Sequence, residues 1–174
     1  MTSPRWCDFD ELIHTVSSQF QLGPHSDHGP HHWKRVEQNG LWLATQSKAD
    51  TLVIRLFAWL HDAKRENECT DPDHGRRGAE YAASLRGKMF DLDDASFESL
   101  VFACTWHTDE QFSPDATVGT CWDADRLDLG RVGMIPSADY MSTAFAKEVA
   151  EAESFYPFLD RIGVSGTAYG SSGG

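Results

Sequence analysis

Apolar residues recur along most of the chain at intervals of three and four, the spacing that lines one face of an α-helix. Leu12, Ile13, Val16 and Phe20 follow this period behind Asp8 and Asp10, either of which can cap a first helix. Proline suits a first helical turn, so a second helix is expected from Pro30 through Trp33, Val36 and Leu41 to about Thr45. Ala49–Leu60 is apolar apart from Asp50 and Arg55. That run is long for a strand and predicts a helix buried on most sides. Asp71–Pro72–Asp73 opens a fourth helix bearing Ala79, Tyr81, Ala82 and Leu85. Asp93 or Asp94 caps a fifth, through Phe97, Leu100, Val101, Phe102 and Cys104 to His107. Cys121–Leu129 and Tyr140–Leu159 supply the last two. Strand signals with a period of two are absent. The expected fold is therefore all-α, one bundle of about six to eight helices over residues 1–162. A Gly/Ser-rich tail, 163–174, is expected to stay outside it.

Composition agrees with one globular domain: 174 residues, 40% apolar and 11% aromatic. The formal net charge of −12 repels a phosphate backbone and argues against a nucleic-acid polymer as partner. A small nucleotide or phosphate ester stays compatible, because a pocket can be locally basic in an acidic molecule. Cys7, Cys69, Cys104 and Cys121 form no CxxC pair and suggest reduced, mostly buried thiols. The N-terminus lacks a basic-then-apolar leader pattern. The longest apolar stretch, Leu52–Leu60, is too short to span a membrane and contains Arg55. A cytoplasmic protein with no membrane partner is the expectation; the oligomeric state is not written in the sequence.

Against this background the polar groups at the predicted helix ends stand out. His32, His61, His74 and His107 each fall at such an end, with Asp62 directly after His61 and Asp125 inside WDADRLD. Borderline divalent metals favour mixed imidazole and carboxylate sets. Helix bundles assemble such sets from several facing helices, since one helix offers only one or two groups to a point. The His-Asp dipeptide that closes the apolar run Leu52–Leu60 is the sharpest signal. Two polar side chains should not extend that run into a core unless something compensates them, and a cation would. Seven of the fifteen lysines and arginines lie within three residues of these positions: Lys34, Arg35, Lys64, Arg65, Arg76, Arg77 and Arg126. Such groups suit an anionic substrate. His25, His28 and His31 read as loop histidines, although His28 is one turn before His32 and could face a pocket mouth. Asp123 and Asp128 read as cap or salt-bridge residues.

The order His32, His61–Asp62, Asp125 resembles the H…HD…D signature of the HD superfamily of metal-dependent phosphohydrolases. The local wording is similar too: HHWKRV, WLHDA and DADRLD match its three elements, and HGRRGAEYA and ACTWHTD resemble the further histidine elements of members with two metal ions. The resemblance covers about residues 28–133. It implies an HD-type bundle and a first metal held by His32, His61, Asp62 and Asp125. A second metal would take His74 and His107, with Asp62 bridging. The ion, one or two of them, would be Mn, Fe, Mg, Ni or Co. By the same resemblance His61 and Asp62 are catalytic through their metal, and Arg126, Lys64 and Arg65 bind a small anionic substrate. The implied activity is hydrolysis of a small phosphate ester or nucleotide by a metal-activated water. Two alternatives stay open: a di-iron oxygenase of the kind the inositol oxygenase represents, and a non-catalytic module that binds metal or nucleotide. One departure is Arg65, which stands where some phosphohydrolases carry an acid or histidine three positions after the HD aspartate.

Overall fold

In a computed structural model that describes residues 4–152, five of seven helices begin on a side chain that accepts from the first-turn amides. Asp8 caps α1 (Phe9–Ser18), Asp50 α3 (Thr51–Leu60), Asp93 α5 (Asp94–Trp106), Asp115 α6 (Ala116–Arg126) and Thr143 α7 (Ala144–Glu151). Each such cap contributes about 1 kcal/mol by satisfying donors that the helix itself leaves open. The other two, α2 (Pro30–Ala44) and α4 (His74–Leu85), start without a side-chain cap; α2 has proline in its first turn.

The helix α3 is the centre of the bundle. Val53, Ile54 and every residue from Leu56 to Leu60 are buried, and α1, α2, α4, α5 and α6 all pack against it. Its residues form the core with Leu12 and Val16 of α1, Trp33, Val36 and Leu43 of α2, and Leu100 of α5. The last turn of this helix is buried throughout and runs directly into His61–Asp62, which are buried as well.

Several boundaries differ from the sequence reading, each for a reason visible in the packing or capping. The first helix stops at Ser18, before Phe20, which instead packs edge-on against Trp33. The sixth starts at Ala116 rather than Cys121, because Asp115 caps Thr117 and Val118, and it gives way after Arg126 to a 3-10 turn, Leu127–Val132. The last helix starts at Ala144 rather than Tyr140. The backbone amides of Ser142 and Thr143 bond the Asp123 carboxylate (2.6 and 2.8 Å), which turns the chain before the helix can begin. Its expected end, Leu159, like the 162 boundary and the tail, lies outside the described residues. A two-residue antiparallel ladder, Trp6–Cys7 (β1) with Phe90–Asp91 (β2), adds strands where none was expected. All four cysteines are free thiols; Cys104 and Cys121 are buried, but Cys69 is exposed. No described helix is long and apolar enough to cross a membrane.

Candidate metal centre

The six residues singled out in the sequence come together from five elements: His32 of α2, His61 and Asp62 after α3, His74 at the start of α4, His107 after α5, and Asp125 near the end of α6. All but Asp125 are buried. His32 Nε2 is 3.2 Å from Asp125 Oδ1, 3.3 Å from His61 Nε2 and 3.8 Å from Asp62 Oδ2. His61 Nε2 is 3.7 Å from Asp62 Oδ2 and 3.8 Å from Asp125 Oδ1. On the other side of the same carboxylate, Asp62 Oδ1 is 3.2 Å from His74 Nε2 and 3.6 Å from His107 Nε2, and the two nitrogens are 2.9 Å apart. Ligands bound at about 2.1 Å to one ion lie roughly 3.0–3.4 Å from one another, so both groups, at 2.9–3.8 Å, lie within a few tenths of an ångström of the spacing a metal requires.

Hydrogen bonds on the far edge of each ring give the cluster its chemistry. His61 Nδ1 lies 3.1 Å from the carbonyls of Phe57 and Ala58, His107 Nδ1 2.7 Å from that of Cys104, and His74 Nδ1 against that of Asp71. A carbonyl can only accept, so each Nδ1 donates, and in the neutral ring Nε2 presents its lone pair inward. His32 Nδ1 does the same toward the Asp128 carboxylate at 2.7 Å. Metal-binding histidines are oriented in this way by carbonyls and carboxylates. The centre also holds an unmatched acceptor: Asp62 Oδ1 is buried and has no hydrogen-bond partner among the described residues. Such an atom is costly to bury unless a cation or proton meets it.

The electrostatics point the same way. Burial favours the neutral form of Asp62 and Asp125, yet the surrounding imidazoles outweigh it and hold both carboxyls well below the usual range, so both are anionic at neutral pH. Burial, the largest effect on His61, pushes its pKa down to about 3. For His32 and His107 burial is outweighed by neighbouring carboxylates, Asp125 and Asp128 in one case and Asp62 in the other, and both are raised. A buried carboxylate, Asp62, and a part-buried one, Asp125, facing four inward nitrogens make a site that could hold a divalent cation.

Two small residues let α4 reach this point. A Cβ on Gly78 would lie 2.6 and 2.7 Å from the carbonyls of Leu60 and His61, and one on Gly75 would press still closer on that of Cys104. Only glycine permits such backbone approach, and it is this approach that carries His74 to Asp62.

No family model matches the chain, and no curated protein does. Among solved structures it is similar to the crystal structure of a predicted HD superfamily hydrolase from an uncultured Thermotogales bacterium. The two share 29% identity over 88% of this chain and 87% of that one, with a TM-score of 0.67. The chain has an HD-domain-like fold. The signature of this HD-like domain, His32, His61–Asp62 and Asp125, is the group that closes around one point in space.

The basic residues of the HD-like domain are distributed less simply. Arg65 stays with the centre: it is buried, its Nη1 is 3.6 Å from Asp62 Oδ1, and carbonyls of Asn67 and Cys69 hold its other nitrogens. Arg126, expected to meet substrate, is committed elsewhere. Its guanidinium bonds the carbonyls of His107 (3.3 Å), Glu110 (2.5 Å), Tyr140 (2.7 Å) and Gln111, and so ties the loop after α5 to α6. Burial pulls its pKa down, but Asp125 and Asp123 oppose this. Lys64, also expected at the substrate, turns outward to Gln19 Oε1 and the face of Tyr81.

Two participants were missed. Asp128, read as a salt-bridge residue, does pair with Arg35 (2.7 Å), but its other oxygen orients His32. Its place three residues after Asp125, one turn along, was the available signal. His28, read as a loop residue, has Nδ1 3.2 Å from Asp62 Oδ2 and stands part-buried beside the cluster. Here the one-turn spacing to His32 was the correct guide.

Proposed function

We propose that this HD-like domain is a metal-dependent phosphohydrolase acting on a small phosphate ester or nucleotide. One observation carries the reading: four imidazoles tethered at Nδ1 aim their Nε2 atoms at two carboxylates, and one oxygen of the shared, buried carboxylate, Asp62 Oδ1, has no hydrogen-bond partner among the described residues. His32, His61, Asp62 and Asp125 would hold one ion; His74, His107 and the second oxygen of Asp62 would hold another. Ions so held supply an acidified water and Lewis-acid polarisation of a phosphoryl oxygen. The protein's own part is to fix the geometry. Asp128 and the backbone carbonyls keep the rings in one tautomer, and Asp62 spans the two positions. Arg65 offers Nη1 on the same side as Asp62 Oδ1, where it can meet a non-bridging oxygen of the substrate and offset its charge.

The test is phosphate release from a panel of phosphomonoesters and nucleotides, with Mn, Mg, Fe, Co or Ni supplied in turn. Turnover that disappears in His61→Ala and Asp125→Ala supports hydrolysis. Absence of turnover with every metal, from protein of native helical content, removes it. Two equivalents of iron, a mixed-valent paramagnetic signal and oxygen uptake on a polyol or phosphonate would replace hydrolysis by oxygenation.

A further inference from the structure

We propose that the chain carries a second anion-binding site, built around Lys64 on the outer side of the turn between α3 and α4, and that it takes a small oxyanion such as a phosphate or carboxylate group. A cleft of about 280 Å³ opens there between the end of α1, the turn after Asp62 and the outer face of α4; none of the six cluster residues lines it.

The charge of the cleft is the reason. The Lys64 ammonium is part-buried, is bonded to the neutral amide oxygen of Gln19, and lies 4.2 Å from the centre of the Tyr81 ring. It forms no ion pair with any described residue. The acids at the rim are engaged with other partners: Glu80 with Arg76 at 2.6 Å, and Glu66 at 3.6 Å from Arg77, which is itself held by Asp71. In a chain with 27 acidic and 15 basic residues, a cation left without a carboxylate inside a concave surface runs against the average. An oxyanion would supply the missing charge. It could accept from Lys64 Nζ, and Gln21 and Tyr81, which also border the cleft, carry further donors.

The cleft is also joined to the metal centre through the backbone. Gln19 Nε2 donates to the Ala63 carbonyl and Arg77 Nε to the Lys64 carbonyl, both at 3.0 Å. The side chains that border the cleft thus hold the turn that carries Asp62, and an occupant bound to Lys64 would stiffen that turn. The binding itself does not depend on a metal or on the hydrolase reading.

Calorimetric titration of inorganic phosphate, and separately of acetate, into the chelator-treated full chain tests the site. Saturable one-to-one binding of one of them is expected, weakened at least about tenfold in Lys64→Gln. Lys64→Arg keeps the charge and is expected to retain binding, which separates lost recognition from a damaged fold. His61→Ala of native circular dichroism is expected to bind as the wild type does. Preference for phosphate assigns a phosphoryl ligand, and preference for acetate a carboxylate. Three results would each overturn the site: no saturable binding of either anion, binding unchanged by Lys64→Gln, or binding lost with His61→Ala. Failure of the turnover panel, in contrast, removes the hydrolase and leaves this site standing.

Discussion

Gly78→Ala probes how the second half of the proposed metal centre is built. An added Cβ would stand 2.6 Å from the Leu60 carbonyl oxygen and 2.7 Å from that of His61, whereas ordinary contact begins at 3.4 Å. Both oxygens belong to backbone at the end of the core helix α3, so α4 must do most of the yielding, by about 0.8 Å along that contact. His74 lies one turn earlier on the same helix and moves with it. Metal–ligand distances tolerate about 0.2 Å, so the ion position formed by Asp62, His74 and His107 is lost before the other one. We expect binding there to weaken roughly 10- to 100-fold, as when an orienting contact is removed. The position formed by His32, His61, Asp62 and Asp125 should be retained. Stability falls by about 1–3 kcal/mol through overpacking, partly offset by about 0.5–1 kcal/mol from replacing a helical glycine. Elemental analysis and a competitive Mn titration would read two ions in the wild type and one in the variant, with Arg76→Ala on the exposed face of α4 as control. Two ions bound at wild-type affinity in Gly78→Ala would refute the argument that backbone approach sets this site.

Asp128→Ala removes the acceptor of His32 Nδ1 and frees the ring to turn; metal affinity or turnover should drop about 10- to 100-fold by titration, with a smaller drop in Asp128→Asn. Chelation is expected to lower the melting temperature, since an ion that binds only the folded chain stabilises it by mass action. A chelator-induced shift equally large in His61→Ala would mean that the ion sits elsewhere. Arg126→Met leaves four carbonyls without their donor and should cost about 1–3 kcal/mol in denaturant unfolding. Asp71 supplies the pH dependence. Burial works against its ionisation, but Arg77 and the Glu66 amide outweigh it and hold its folded pKa below the ordinary 3.8. A depressed carboxyl stabilises the fold above its unfolded pKa and loses that contribution as pH falls through the folded one. The stability gap between wild type and Asp71→Asn should therefore be constant near neutrality and close below about pH 4; a gap that widens on acidification would contradict the pairing.

The sequence by itself determined the helices and named the six polar residues, because both obey short-range rules. Period and capping acids place α1 to α5 within a few residues, and an apolar run ending in His-Asp already says that two polar groups enter a core. Apart from the start of α6, which its own cap Asp115 sets, its failures came where a distant group intervened. Asp123 reaches across to Ser142 and Thr143 and delays the last helix, and the β1–β2 pair joins residues more than eighty positions apart. Arg126 could be read as basic and adjacent to Asp125, but only the folding of two loops onto it revealed four carbonyls awaiting its donors. Lys64 and Arg65 are neighbours of equal charge in the sequence; the direction of the turn sends one outward and the other to Asp62. The orienting bond from His32 to Asp128 was likewise decided in three dimensions. Which groups a chain owns is local information, whereas which atoms of those groups face one another depends on how closely backbones pack, and here two glycines in α4 permit that closeness.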